Sequence, residues 1–199
     1  ERLKILLKVG VPTSVQNVAV GVSFIFLTAM ANSINPPSEI EAAAIGVVAK
    51  FNGFAILPAL AMSSSISAMS AHNFGAKETG RAVKTMWIGM LIAVIISLLV
   101  FALSQLAPQW IIKVFQNDDM LIEKGTEYLK VFAYDYLVAP ILFCFNGLFI
   151  AAGHTMFSFI NGVIASLAIR IPAAYILGIV FKMGLSGVGL AAPLASLIA

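Results

Sequence analysis

Charge is scarce in this sequence. Only 11% of its 199 residues are Asp, Glu, Lys or Arg, against about 25% in an ordinary soluble domain. That deficit excludes a water-soluble globule. Cysteine is rarer still: Cys144 stands alone in an apolar run, so no internal disulfide is available. The two histidines, His72 and His154, have no Cys or acid at a metal-ligand interval, and no metal site is expected. There is no Gly-rich phosphate loop with its Lys-Ser/Thr pair, so no ATP motor of that type is encoded. No nucleophile lies beside a base, so the chain is not expected to be an enzyme. Nor is there a basic stripe with interleaved aromatics. The net charge of +3 therefore does not point to nucleic acid.

What the sequence has is hydrocarbon. Hydrophobic residues make up 60% of it, and the mean hydropathy is +0.99. The apolar runs are long and continuous, which favours helices over a barrel of short alternating strands. Six spans are predicted, at about 5–31, 40–71, 84–106, 128–152, 155–181 and 185–199. All belong to one all-α transmembrane unit covering 1–199. The sixth is only about 24 Å long, too short to cross comfortably. With no initiator Met and no signal peptide, the chain is expected to be cut from something longer.

Asn32-Ser33-Ile34-Asn35-Pro36-Pro37-Ser38 is predicted to turn, with Ser38, Glu39 and Glu41 starting the next helix. Pro58 should kink the long second span, because its ring removes a backbone donor. Residues 113–130, rich in Asp118, Asp119, Glu123 and Glu127, are expected to be an exposed loop leading into an amphipathic helix. Lys and Arg near span ends set orientation. Arg2, Lys4, Lys8, Lys77, Arg81 and Lys84 lie on the side of the N-terminus, and Lys113, Lys124, Lys130 and Lys182 on the other. The bias places the N-terminus in the cytoplasm.

Arg170 sits near the middle of the fifth span. A charge at that depth costs about 2.5–3.5 kcal/mol even on the gentlest scale. Such a residue faces a bundle interior or satisfies backbone carbonyls at a kink, and Pro172 supplies the kink. Lys50 is the other intramembrane cation, lining a cavity or snorkelling to an interface. Asp135, close to the start of the fourth span, is either an interfacial acid or a protonatable relay. Gln16, Asn17, Asn52, Asn146 and Asn161 place amides in four spans, where they glue helices or line a polar cleft. The small residues from Ser63 to Ser70 suit close helix packing. Most of the methionines suit an ordinary core.

At these residues the sequence resembles a known family. Pro58-Ala59-Leu60-Ala61-Met62, running into Asn73-Phe74-Gly75-Ala76-Lys77 and Arg81-Ala82, is similar to a stretch of the multidrug and toxic compound extrusion (MATE) transporters. So are Gly153-His154-Thr155 with Asn161, and Arg170-Ile171-Pro172-Ala173-Ala174-Tyr175. Gly187-Val188-Gly189-Leu190-Ala191-Ala192-Pro193 resembles the opening of a later span, and Val9-Gly10-Val11-Pro12 the start of a lobe. Order and spacing agree over essentially the whole chain.

The resemblance implies one six-helix lobe, the C-terminal one, of a twelve-helix, two-lobe transporter in the cell membrane, multi-pass and prokaryotic. It implies a secondary antiporter exporting cationic or amphipathic compounds in exchange for Na+ or H+. The partners would be a small-molecule substrate, membrane lipid and the missing N-terminal lobe. Arg170, Lys50 and the span amides would line the cleft. The family's acids in the first and fourth spans of this lobe are not matched: the first has none after Glu1, and Asp135 lies earlier than the family position near Pro140. The coupling-ion site is therefore expected outside this lobe, with no other cofactor. Alternatives are a lipid-linked or polysaccharide flippase and a non-transporting structural subunit.

Overall fold

A backbone surrounded by hydrocarbon must satisfy its N–H and C=O groups within each segment. The computed structural model does so with helices alone among the described residues, 2–34 and 39–199, with side chains described for 10–33 and 39–199. Of the turn expected over 32–38, residues 32–34 instead continue the first helix, and residues 35–38, with the side chains of Arg2, Lys4 and Lys8, lie outside the described residues.

Helix α1 (Arg2–Ile34) is followed by α2 (Glu39–Ala55) and α3 (Leu57–Gly75). The latter two meet at Ile56, two residues before Pro58, which occupies the first turn of α3. Pro58 has no N–H for a carbonyl one turn back, so the helix gives way there. Taken together they run 37 residues, about 55 Å, well beyond a 30 Å hydrocarbon core. Helix α4 (Thr79–Leu106) is the most apolar span. At the α3–α4 turn it is Lys77, not either flanking glycine, that takes positive φ, at 62°.

Residues 113–130 do lead through a loop into an amphipathic helix, but the loop is only 116–118. Helix α5 (Pro108–Phe115) and α6 (Asp119–Phe132) occupy this stretch. The Asp118 carboxylate caps α6 by accepting from the Leu121 N–H at 2.9 Å. The acids that suggested a loop alternate with Leu121, Gly125, Tyr128, Leu129 and Phe132, all buried. Their spacing of i, i+4, i+7, i+8, i+11 makes one helical stripe. Helix α7 (Asp135–Ala151) then departs from α6 at 48°, so the fourth run is a bent pair rather than one straight rod.

The fifth run, Thr155–Val180, is one long helical segment with uneven winding. Helix α8 (Thr155–Val163) passes into a π-helical stretch at Ile164–Ile169, then α9 (Arg170–Tyr175), then a second π stretch at Ile176–Val180. The Arg170 N–H bonds the Ala165 carbonyl, five residues back. Wider turns on both sides of Pro172 absorb its missing donor. Helix α10 (Gly184–Ile198) closes the described chain.

Two apolar cores result. One gathers α1, α2, α5, α6, α9 and α10 around Leu27, Ile45, Ile112, Tyr128, Phe132 and Val188. The other joins α3, α4 and α7 around Ile66, Met86, Met90 and the unpaired thiol Cys144. Between them the helices leave a polar interior.

Candidate functional site

Five helical segments deliver polar side chains to one cavity of about 120 Å³. Gln16 comes from α1, Asn52 from α2, and Asp135 and Asn146 from α7. Asn161, Ser166 and Arg170 come from the winding fifth run, and Ser196 from α10. Phe24, Phe143 and small alanines fill the rest of the wall.

Arg170 is 9% exposed. Its guanidinium carbon lies 5.3 Å from the centre of the Phe24 ring, within range for a cation–π contact. Its Nε–H is buried with no hydrogen-bond partner. The π turn ahead of it (Ile164–Ile169) changes the register of the helix just before Arg170.

Asp135 is 4% exposed. The break at residues 133–134 makes it the first residue of α7 and it lines the cavity. The Ser196 hydroxyl donates to its Oδ1 at 2.5 Å. Asp135 and Arg170 are close enough to interact electrostatically, yet they form no ion pair within 4 Å among the described residues. Charges this poorly hydrated cost several kcal/mol each unless compensated. Across the gap they compensate one another while the Arg170 Nε–H stays unpartnered.

More hydrogen-bonding capacity is left over nearby. The Asn52 carbonyl oxygen and the Tyr128 and Tyr136 hydroxyls are buried and unpartnered. Tyr128 is within electrostatic range of both Arg170 and Asp135. It stacks on Phe132 at 5.7 Å, and Phe132 meets Tyr136 at 6.0 Å. Buried polar groups are normally satisfied; of the unpartnered ones, the Asn52 oxygen and the Arg170 Nε–H belong to cavity-lining residues, which suits polar or charged visitors.

Six of the residues singled out from sequence converge here: Arg170, Asp135, Gln16, Asn52, Asn146 and Asn161. Lys50 and Asn17 do not; both are exposed and outside the cavity lining. The reason is angular. Lys50 stands two residues from Asn52, so the two cannot share a helix face, and Asn17 is a single step round α1 from Gln16. Ser196, Ser166 and Phe24 were not anticipated. A lone serine after Pro193 in an apolar helix was the available signal for Ser196.

Among the described residues no three His, Cys, Asp or Glu side chains gather as a metal site. The cavity has one acid and one guanidinium, separated and partly unsatisfied, which suits reversible binding rather than bond chemistry.

Comparison with known proteins agrees. The Bacillus subtilis (strain 168) protein named "Probable multidrug resistance protein YoeA" is 24% identical over 195 residues, spanning 98% of this chain and 42% of that protein. A multidrug resistance MATE family transporter in its outward-facing conformation superposes with a TM-score of 0.92 at 20% identity, over 98% of this chain and 44% of that one. An inward-facing form gives 0.86 at 19% identity, over 98% and 45%. A MOP superfamily transporter from Pyrococcus furiosus Vc1, described as having a binding pocket of reverse polarity, gives 0.85 at 16% identity, over 98% and 42%. The chain thus spans less than half the length of these relatives and shares their fold. The MatE family model matches residues 12–176, and this chain belongs to that family of membrane transporters rather than enzymes.

Proposed function

We propose that this chain supplies one lobe, the C-terminal one, of a cell-membrane efflux antiporter for cationic or amphipathic compounds. The N-terminus of the lobe faces the cytoplasm. The observation that carries the reading is the polar cavity itself. One carboxylate, Asp135, and one guanidinium, Arg170, meet there within an otherwise apolar bundle. The amides Gln16, Asn52, Asn146 and Asn161 give this half of a cleft hydrogen-bonding range, and a second lobe would complete the path.

Antiport requires two ligands that exclude each other, since their binding energies are linked reciprocally. A buried carboxylate provides this: a proton or Na+ and an organic cation compete for the same charge. The family resemblance implies a coupling site outside this lobe. The burial of Asp135 against Ser196 supports a second reading, in which Asp135 is that shared group.

The test is accumulation of a cationic dye in cells expressing the full-length protein. Expression lowers accumulation, and collapsing the ion gradient abolishes the effect; export that survives collapse would refute antiport. Under the second reading, Asp135→Asn reduces gradient-driven export by about tenfold or more at equal protein level, equivalent to about 1.4 kcal/mol. Unchanged export by that variant assigns coupling to the other lobe. A lining with several cations would favour a flippase for anionic glycolipids, but Arg170 is the sole cation among the lining residues.

A further inference from the structure

Well away from the interior cavity, a groove of about 250 Å³ lies where the end of α3 meets the start of α4. His72 and Asn73 line it from α3, and Arg81, Lys84 and Thr85 from α4. Met69 and Ile88 form its apolar side. Arg81, Lys84 and His72 are exposed, and among the described residues none is in an ion pair.

Two features set this groove apart from an ordinary charged loop. First, Arg81 and Lys84 stand in the opening turns of α4, whose first turn holds no acid and whose N-cap residue, Glu78, makes no side-chain cap. The helix dipole is positive at that end, so it opposes cations and favours an anion. Lys77, Arg81 and Lys84 outnumber Glu78, so side chains and helix end together leave a net positive field. Second, the same face of α4 continues as hydrocarbon. Arg81, Lys84 and Thr85 are followed by Ile88, Ile92 and Ile95 at helical spacing, and all three isoleucines are exposed, by 53%, 43% and 51%. From Lys84 to Ile95 the stripe rises about 16 Å, close to the roughly 15 Å of hydrocarbon in one leaflet. Met69 on α3 borders it, 58% exposed.

We propose that this groove binds the phosphate headgroup of an anionic phospholipid, with an acyl chain laid along the isoleucine stripe of α4. A cationic pocket directly above one leaflet's length of exposed apolar helix matches that ligand in charge and length. A soluble anion would use only the upper half. Basic pockets between transmembrane helices are known hosts for such headgroups, each Lys or Arg strengthening attraction to an anionic surface.

The test uses the full-length protein in detergent, titrated with phosphatidylglycerol, phosphatidylcholine or inorganic phosphate and read by native mass spectrometry. The unsubstituted protein retains one more phosphatidylglycerol than the R81Q/K84Q variant. Its half-saturation comes at a concentration about 10- to 30-fold lower. Equal retention by the two proteins overturns the proposal, as does equal retention of phosphatidylcholine. Displacement of the lipid by millimolar inorganic phosphate also overturns it, leaving a simple anion site. Ile88→Gln with Ile92→Gln tests the stripe without touching the charges, and carries the test if R81Q/K84Q does not fold. It should weaken retention of long-chain phosphatidylglycerol and spare a dihexanoyl form; unchanged long-chain retention sinks the lipid assignment.

Discussion

Phe24 and Ser196 each modify a buried charge without carrying one. Phe24 offers its ring face to Arg170 at 5.3 Å. Replacing it with Leu keeps an apolar wall and removes the quadrupole, so Phe24→Leu should lower stability by about 0.5–2 kcal/mol. Thermal unfolding in detergent checks this; no change would mean the ring serves only as wall. Ser196 donates to Asp135, so Ser196→Ala leaves a buried carboxylate oxygen without its partner and should lower stability by about 1–3 kcal/mol. The same unfolding measurement checks it; an unchanged melting temperature would show that the bond contributes nothing. Phe24 was not legible in the sequence and Ser196 only faintly, because a phenylalanine or a serine in an apolar helix looks like filling until a partner across the bundle is known. Arg170 was legible, since its cost in hydrocarbon does not depend on its neighbours.

Helix pairing depends on small residues at particular crossings. A Cβ on Gly147 of α7 would lie 2.5 Å from the Ser63 carbonyl oxygen of α3. That atom is backbone and cannot swing aside. Ser63 in turn donates its hydroxyl to the Phe143 carbonyl at 2.7 Å, so the same crossing is both close-packed and hydrogen-bonded. Gly147→Val should cost at least about 1–3 kcal/mol, whereas Ser63→Ala should cost about 0.6 kcal/mol. Melting temperatures of the two variants rank these, and a smaller loss for Gly147→Val would contradict the crossing. Gly187 plays the equivalent part where α10 meets the Leu177–Gly178 backbone. The serine-rich stretch announced such packing in advance, without naming the partner helix. The α6 segment was harder to recognise. Its three acids and two lysines interrupt the apolar residues, and only the periodicity of Leu121, Gly125, Tyr128, Leu129 and Phe132 reveals the buried stripe. The π turns around Arg170 follow from Pro172, but their placement depends on packing against α1 and α10.

Among the described residues four helices are long and apolar enough to cross a membrane, five if the bent α6–α7 pair counts as one. Its interior cavity should admit solutes that its cores exclude. Cysteines at Asn146 and Asn161 should react with a small polar maleimide in the native protein, at rates lowered by a bound cation. Cys144, with 0% exposure, should stay unreactive until unfolding, and prompt labelling of Cys144 would disprove that division. The sequence by itself determined that this protein is helical and lives in lipid, because apolar runs of this length have no other stable solvent. It also determined that a few polar residues must turn inward, because hydrocarbon penalises each of them separately. Which of them meet was decided by the tertiary structure alone. Asn52 enters the cavity and Lys50 does not, two residues away on the same helix. Asp135 becomes interior because the α6–α7 bend places it there. Those outcomes depend on helix rotation and crossing, which are set by contacts between segments distant in sequence.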